Sequence, residues 1–349
     1  MKLDSLDYKL PSELIAMKPI SPRDNSTLVE VNKEFKVKKF FQLSNILKKG
    51  DCLIVNDTKV LPAYLEGESE NSKITITLNK LIKKKPFVMW SAFCKPLKKI
   101  KKNSKIMFSG NLVSEVININ YDSQLPYLIL TFKTSYKNFL EKISNFGRIA
   151  LPPYILKKRD HDKEDDKNYQ TIFSSTTGAV ASPTANLHFS ENLKDMLISK
   201  GIIIIPITLH VNGSTFLPVR SQNVNNHKMH KEYGEISKKS SVVINRIKKT
   251  GGRIIAVGTT VLRLLETAKN EKGQILPYNG ETNIFIKPGW DINTVDGLIT
   301  NFHTPKSSLL LIMYTILGES KTRKLYDFAI KQKLRFLSYG DACLVWIKK

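Results

Sequence analysis

Cysteine is scarce in this chain. Cys52, Cys94 and Cys343 are odd in number, far apart and in no CxxC pair, so neither a disulfide framework nor a cysteine metal site is supported. Each is expected to act as a small buried hydrophobe. Long apolar runs are missing as well: the strongest, Leu309 to Leu317, falls far short of the roughly 20 residues that a spanning helix needs. It reads as a buried helix. Met1 to Leu10 carries Asp4 and Asp7 and no apolar core, so no secretory signal is expected and a cytoplasmic location follows by default. No G-x-S-x-G elbow, P-loop or protein-kinase signature set occurs, which weakens hydrolase, NTPase and kinase readings. Acid is in short supply too. With 55 Lys+Arg against 31 Asp+Glu the net charge is +24, which points to a polyanionic partner, RNA or DNA before an anionic membrane surface.

What is present is enough for a sizeable core. At 349 residues and 41% hydrophobic content, the prior is roughly two domains of about 150 residues each. In the second half, helical patterns alternate with β-branched runs: Ser190 to Gly201 leads into Ile202 to Ile205, and Ser240 to Gly251 leads into Arg253 to Val257. That alternation predicts a layered α/β sheet. Residues 61–145 differ. Lys73 to Leu78, Phe87 to Phe93, Leu112 to Ile119 and Tyr127 to Phe132 are short β-prone runs, with no helical period before Phe139. The expected fold is therefore α/β: a larger mixed layered domain from 1–60 and 146–349, with a small antiparallel β-barrel inserted at 61–145.

Within the insert, Lys80 to Lys105 contains ten lysines, no acid, and the aromatics Phe87, Trp90 and Phe93. Phosphate contacts beside stacking groups suit RNA, although lysines also solvate exposed faces and aromatics at strand spacing usually point into a core. Lys98, Lys99, Lys101 and Lys102 are the densest part.

Three further stretches carry polar chemistry. GAVASPTANLHF, Gly178 to Phe189, crowds small, hydroxyl and imidazole groups immediately before a helix start at Ser190; it is either a ligand loop or a tight connection. Gly258-Thr259-Thr260 follows the strand Ile254 to Val257 and opens a helix, a place where anions or polar ligands bind, but it lacks the full G-x-G-x-x-G pattern. NFHTPKSS, Asn301 to Ser308, places His303 before two serines that can cap the apolar helix. His227 and His230, three residues apart, have no third ligand in view, so no metal site is expected. The MHKE fragment instead sets His230 beside Glu232 for hydrogen bonding or proton transfer.

Taken in order, these pieces resemble the S-adenosylmethionine:tRNA ribosyltransferase-isomerase family of queuosine biosynthesis. The likeness runs through LPSELIA (Leu10 to Ala16), RDNS (Arg23 to Ser26), GDCLIVNDTKVLPA (Gly50 to Ala63), LPPY (Leu151 to Tyr154), YQTIFS (Tyr169 to Ser174) and GAVASPTANLHF. It continues through TLHV (Thr208 to Val211), MHKE, AVGTT with Arg263 and Glu266, FIKPG (Phe285 to Gly289), TNFHTP (Thr300 to Pro305) and RFLSYGDA (Arg335 to Ala342). Nearly the whole chain is covered. The resemblance implies transfer and isomerisation of the ribosyl part of S-adenosylmethionine onto 7-aminomethyl-7-deazaguanine in tRNA, giving epoxyqueuosine and releasing adenine and methionine. S-adenosylmethionine is then a co-substrate, and no separate cofactor or metal is implied.

Carried onto this chain, the expected catalytic residues are His188, His303, Glu232 and Asp341. The expected substrate contacts are Thr184, His210, His230, Thr259, Thr260 and Arg263, with the four lysines above toward RNA. Departures from the family pattern are Asn186 for glycine, Asn212 and Ser214 around a shifted Gly213, Thr27, Lys59 and Tyr64 for arginines, and Val261-Leu262 for a more polar pair. Two other classes compete: a basic RNA-binding protein with a degenerate pocket, and an ordinary S-adenosylmethionine methyltransferase.

Overall fold

The run Ile254–Val257 becomes a strand buried on both faces, which is why it reads as a continuous apolar stretch and not as an alternating one, while the run at Ile202 to Ile205 keeps Ile203 exposed. The computed structural model describes residues 3–121, 125–213, 224, 227 and 229–347; Ser214 lies outside them. Four parallel strands form the centre of a nine-stranded sheet, in the spatial order Ile203–Leu209, Cys52–Asn56, Ile254–Val257 and Gly297–Asn301. Beyond one side lie the antiparallel strands Glu232–Ile236 and Tyr278–Thr282. Beyond the other, Ala342–Trp346 runs antiparallel to its neighbour and Thr27–Val31 and Phe35–Lys39 complete the sheet. The fold is mixed α/β, as the alternating patterns predicted.

Helices cover the sheet with caps of the expected chemistry. Ser190, Ser237 and Ser307 each accept a hydrogen bond from the backbone N–H three residues on, opening Glu191–Ser199, Lys238–Lys249 and Ser308–Leu317. The last is the apolar run, buried as expected from Leu310 to Tyr314. Among the described residues no helix is long and apolar enough to cross a membrane. All three cysteines are buried and free, and burial pushes the thiols up to about 12 for Cys52 and Cys343 and about 11 for Cys94.

Tyr64–Ser69, Ser72–Lys83, Val88–Lys95, Lys105–Phe108, Leu112–Asn120 and Tyr127–Phe132 close into an antiparallel barrel. Trp90, Leu128, Leu130 and Phe132 fill it, and Phe139 and Ile143 of the helix Tyr136–Phe146 pack against them. Two strands were invisible in the sequence. Tyr64–Ser69 is mostly polar and contains Gly67, where a Cβ would meet the Met107 carbonyl oxygen at 2.6 Å. Lys105–Phe108 is too short to show a period.

Candidate active site

The parallel strands Ile203–Leu209, Cys52–Asn56, Ile254–Val257 and Gly297–Asn301 end on one edge of the sheet, where open α/β sheets bind their ligands. A cleft of about 940 Å³, part of it open to solvent, lies there. The GAVASPTANLHF loop gives it Ala181 to Ala185, the Gly-Thr-Thr turn gives it Gly258, Thr259 and Thr260, and the fourth strand leads into it with Thr300, Asn301 and His303.

Local geometry explains why these residues converge. Gly258 has φ +96, a conformation open to glycine, and it turns the chain from strand into the helix Thr259–Thr267 without a side-chain cap. Thr259, Thr260 and Arg263 are spaced i, i+1 and i+4, so one face of that helix looks into the cleft. Arg263 is 5% exposed; its Nη1 donates to Glu232 Oε2 at 2.5 Å, while its Nε and Nη2 are buried and meet no acceptor among the described residues. Nε and Nη2 form one edge of the guanidinium fork, the edge that matches a carboxylate in a bidentate pair. The hydroxyls of Ser182 and Thr260 are likewise buried without a described partner.

His303 lines the cleft with Nε2 3.0 Å from Thr300 Oγ1, and burial pulls its imidazole down to about 3. It is neutral near pH 7. Thr184 also lines the cleft, donating to Asn301 Oδ1 at 3.1 Å. The sequence had not singled out Asn301, Tyr154, Tyr169 or Ser338 as site residues, yet all four line the cleft. Their only signal was membership in the TNFHTP, LPPY, YQTIFS and RFLSYGDA motifs.

Five of the expected residues stand outside the cleft's lining. His188 is behind the wall: Nδ1 is 2.8 Å from Ser26 Oγ, Asn301 Nδ2 is 3.1 Å from Nε2, and the ring stacks on Phe40. It holds Asn301 in place and does not line the cleft. Both Asp341 oxygens accept backbone hydrogen bonds at 2.7 Å, from Thr27 and Arg335, so this carboxylate ties the last strand to the first. His210 packs between Thr58, 2.7 Å from Nδ1, and the Tyr233 ring; a Cβ at Gly178 would lie 2.6 Å from its imidazole. His230 opens into a second recess, described below. Glu232 is buried in the wall between recess and cleft, pairing Arg263 and accepting from the Asn212 N–H at 3.2 Å.

Most departures are absorbed locally, although the Asn186 Oδ1 is buried without a described partner. Asn186 is not left-handed; it sits in the 3-10 turn Thr184–His188 and its amide donates to the Asn56 carbonyl at 2.8 Å. Val261 and Leu262 are buried in the core. Lys59 is exposed, Tyr64 opens a barrel strand and Thr27 bonds Asp341 through its backbone. Among the described residues no group of three or more His, Cys, Asp or Glu is placed to hold a metal ion.

The two deeply buried imidazoles make stability acid-sensitive. His188, like His303, is pulled by burial from 6.5 to about 3, so between those values the unfolded chain binds more protons than the native one. Stability is therefore full above pH 6.5 and falls as pH drops through the window, by about 2 kcal/mol per histidine at pH 5. Urea unfolding at pH 7 and pH 5 should show that loss, and His188→Gln should flatten the dependence.

Fold and cleft together define an α/β protein with an inserted barrel and a ligand site at the carboxyl edge of its parallel strands. The chain belongs to the family described as queuosine biosynthesis protein, whose model matches residues 3–345. It is 41% identical over 346 residues to the S-adenosylmethionine:tRNA ribosyltransferase-isomerase of Zymomonas mobilis, covering 99% of both chains. The protein of that name from Ruegeria pomeroyi is 40% identical over 351 residues, again covering 99% of each. Among solved structures, the S-adenosylmethionine tRNA ribosyltransferase of Thermotoga maritima matches with TM-score 0.55 and 27% identity, over 98% of this chain and 99% of that one.

Proposed function

We propose that this chain is a cytoplasmic S-adenosylmethionine:tRNA ribosyltransferase-isomerase that modifies 7-aminomethyl-7-deazaguanine in tRNA. The observation that carries the reading is the cleft's set of buried donors: the Nε and Nη2 edge of Arg263 beside the Ser182 and Thr260 hydroxyls. A buried donor without an acceptor is costly, so such a cluster favours a polar, partly anionic occupant. The carboxylate of the donor's methionyl end fits the guanidinium edge. The N-terminus of the helix Thr259–Thr267 adds unpaired backbone N–H groups on the same wall.

Transfer breaks the donor's bonds to sulfur and to adenine, each leaving group keeping its electron pair; the ribosyl carbons regain one pair from the acceptor's amine nitrogen, which forms the new C–N bond, and one from a ribosyl C–H bond whose proton passes to adenine, while the amine's own proton leaves to solvent. His303, neutral in the cleft, does not repel the sulfonium cation and offers a fixed hydrogen-bonding group. A base works best with a pKa near the working pH, so His303 suits orientation better than proton abstraction. His188, Asn301 and Thr184 form the chain of contacts that sets the cleft's opposite wall. Arg263 is itself set by Glu232.

Incubating the purified protein with labelled S-adenosylmethionine and precursor-containing tRNA tests the reading. Equimolar adenine and methionine are expected; S-adenosylhomocysteine would indicate methyl transfer, and RNA binding without turnover would indicate a binding protein. Lys98, Lys99, Lys101 and Lys102 are all exposed and make no ion pair with a described residue, so we assign them to phosphate contacts. Changing all four to glutamine should flatten the salt dependence of tRNA binding, by about 0.7 to 0.9 of log-log slope per lost contact. An unchanged slope would leave them as solvating groups.

A further inference from the structure

Val211 and Asn212 are neighbours in the chain but line different cavities: Val211 faces the cleft, and Asn212 faces a second recess between the barrel and the sheet. The buried Glu232–Arg263 pair links the two, Arg263 lining the cleft and Glu232 accepting from the backbone N–H of Asn212, which lines the recess. The recess encloses about 1140 Å³, part of it open to solvent.

Its barrel side is unusual for a surface. Along Val88–Lys95 and Tyr127–Phe132, Trp90, Ala92, Cys94, Leu128 and Leu130 point into the barrel core, leaving Ser91, Phe93, Tyr127 and Ile129 on the outer face. Phe93, Tyr127 and Ile129 join none of the hydrophobic clusters, and all three line the recess. Opposite them stand His230 and Lys231, with Lys80 at the rim. Lys80 and Lys231 share one acid, Glu281, at 2.6 and 3.6 Å, so the rim keeps a net positive charge. Flat aromatic faces, amide and imidazole groups, and excess cation are the combination that holds a single unstacked nucleotide.

We propose that this recess holds an unstacked nucleotide of the RNA substrate next to the one to be modified, with Phe93 and Tyr127 against its base and Lys80 and Lys231 toward the flanking phosphates. The inference rests on the transferase reading above and deepens it: the reacting nucleotide meets the donor at the cleft, and its neighbour is held across the Glu232–Arg263 pair. His230, expected from the sequence as a substrate contact, belongs on the RNA side.

The test is binding of a fluorescent anticodon stem-loop RNA by wild type, Phe93→Ala and Phe93→Trp, with donor affinity measured separately by calorimetry. Phe93→Ala should bind RNA about tenfold more weakly, in line with loss of one stacked base, with an unchanged salt slope and unchanged donor affinity. Phe93→Trp, which keeps a π-face, should restore binding. RNA affinity unaltered in Phe93→Ala, or lost equally in both variants along with thermal stability, would overturn the proposal. A wild type that binds RNA through Phe93 yet releases no adenine would overturn the transferase reading and leave the recess assignment standing.

Discussion

Arg263→Met is expected to lower stability by about 3–5 kcal/mol, because it breaks a buried ion pair and leaves Glu232, 3% exposed, inside the wall without its guanidinium. Adding Glu232→Gln should restore most of that loss. The double variant still lacks the free Nε and Nη2 edge, so it is expected to fold and to bind S-adenosylmethionine at least about a hundredfold more weakly, the worth of a bidentate charge-assisted pair. Thermal unfolding and calorimetry on the two variants separate the structural part of the pair from its ligand-facing part. Donor affinity unchanged in the double variant would remove Arg263 from the donor site.

The two buried histidines are expected to part company on substitution. His303→Ala should lower turnover by about 10² to 10³ with little change in melting temperature, since it removes a preorganised polar group facing the cleft. His188→Ala should do the reverse. It leaves Ser26 and Asn301 short of a partner and removes the stack on Phe40, costing about 2–4 kcal/mol, and activity should fall in step with the folded fraction. Steady-state kinetics beside unfolding curves decide the matter: equal loss of turnover at unchanged stability in both would return His188 to the chemistry.

The cleft was legible in outline because its loops have distinctive local composition. Thr184, Thr259, Thr260 and His303 all reached it from segments the sequence had already marked as polar and poised at element ends. His188 and Asp341 do not line the cleft, for a shared reason. A polar side chain in a polar loop looks functional in one dimension, but each of these is buried and satisfied by backbone or amide groups far away in the chain, Asn301 for one and Thr27 for the other. The aromatics of the lysine-rich segment divided along the pleat, Trp90 into the barrel and Phe93 onto its outer face.

Sequence alone determined what local rules and charge counting govern: the β-branched runs that became strands, the serine caps, the glycine turn at Gly258, the barrel region and the excess of cation. These depend on nearest neighbours, on burial averaged over a segment and on totals. Tertiary structure decided which polar groups face a ligand and which face each other. That choice depends on pairs such as Arg263 with Glu232 and His188 with Ser26, 31 and 162 residues apart, whose directions are fixed only when the sheet brings its strand ends to one edge. A hydrogen bond is directional and short-ranged, so whether a buried donor is satisfied or waiting is a property of the folded neighbourhood and not of the residue.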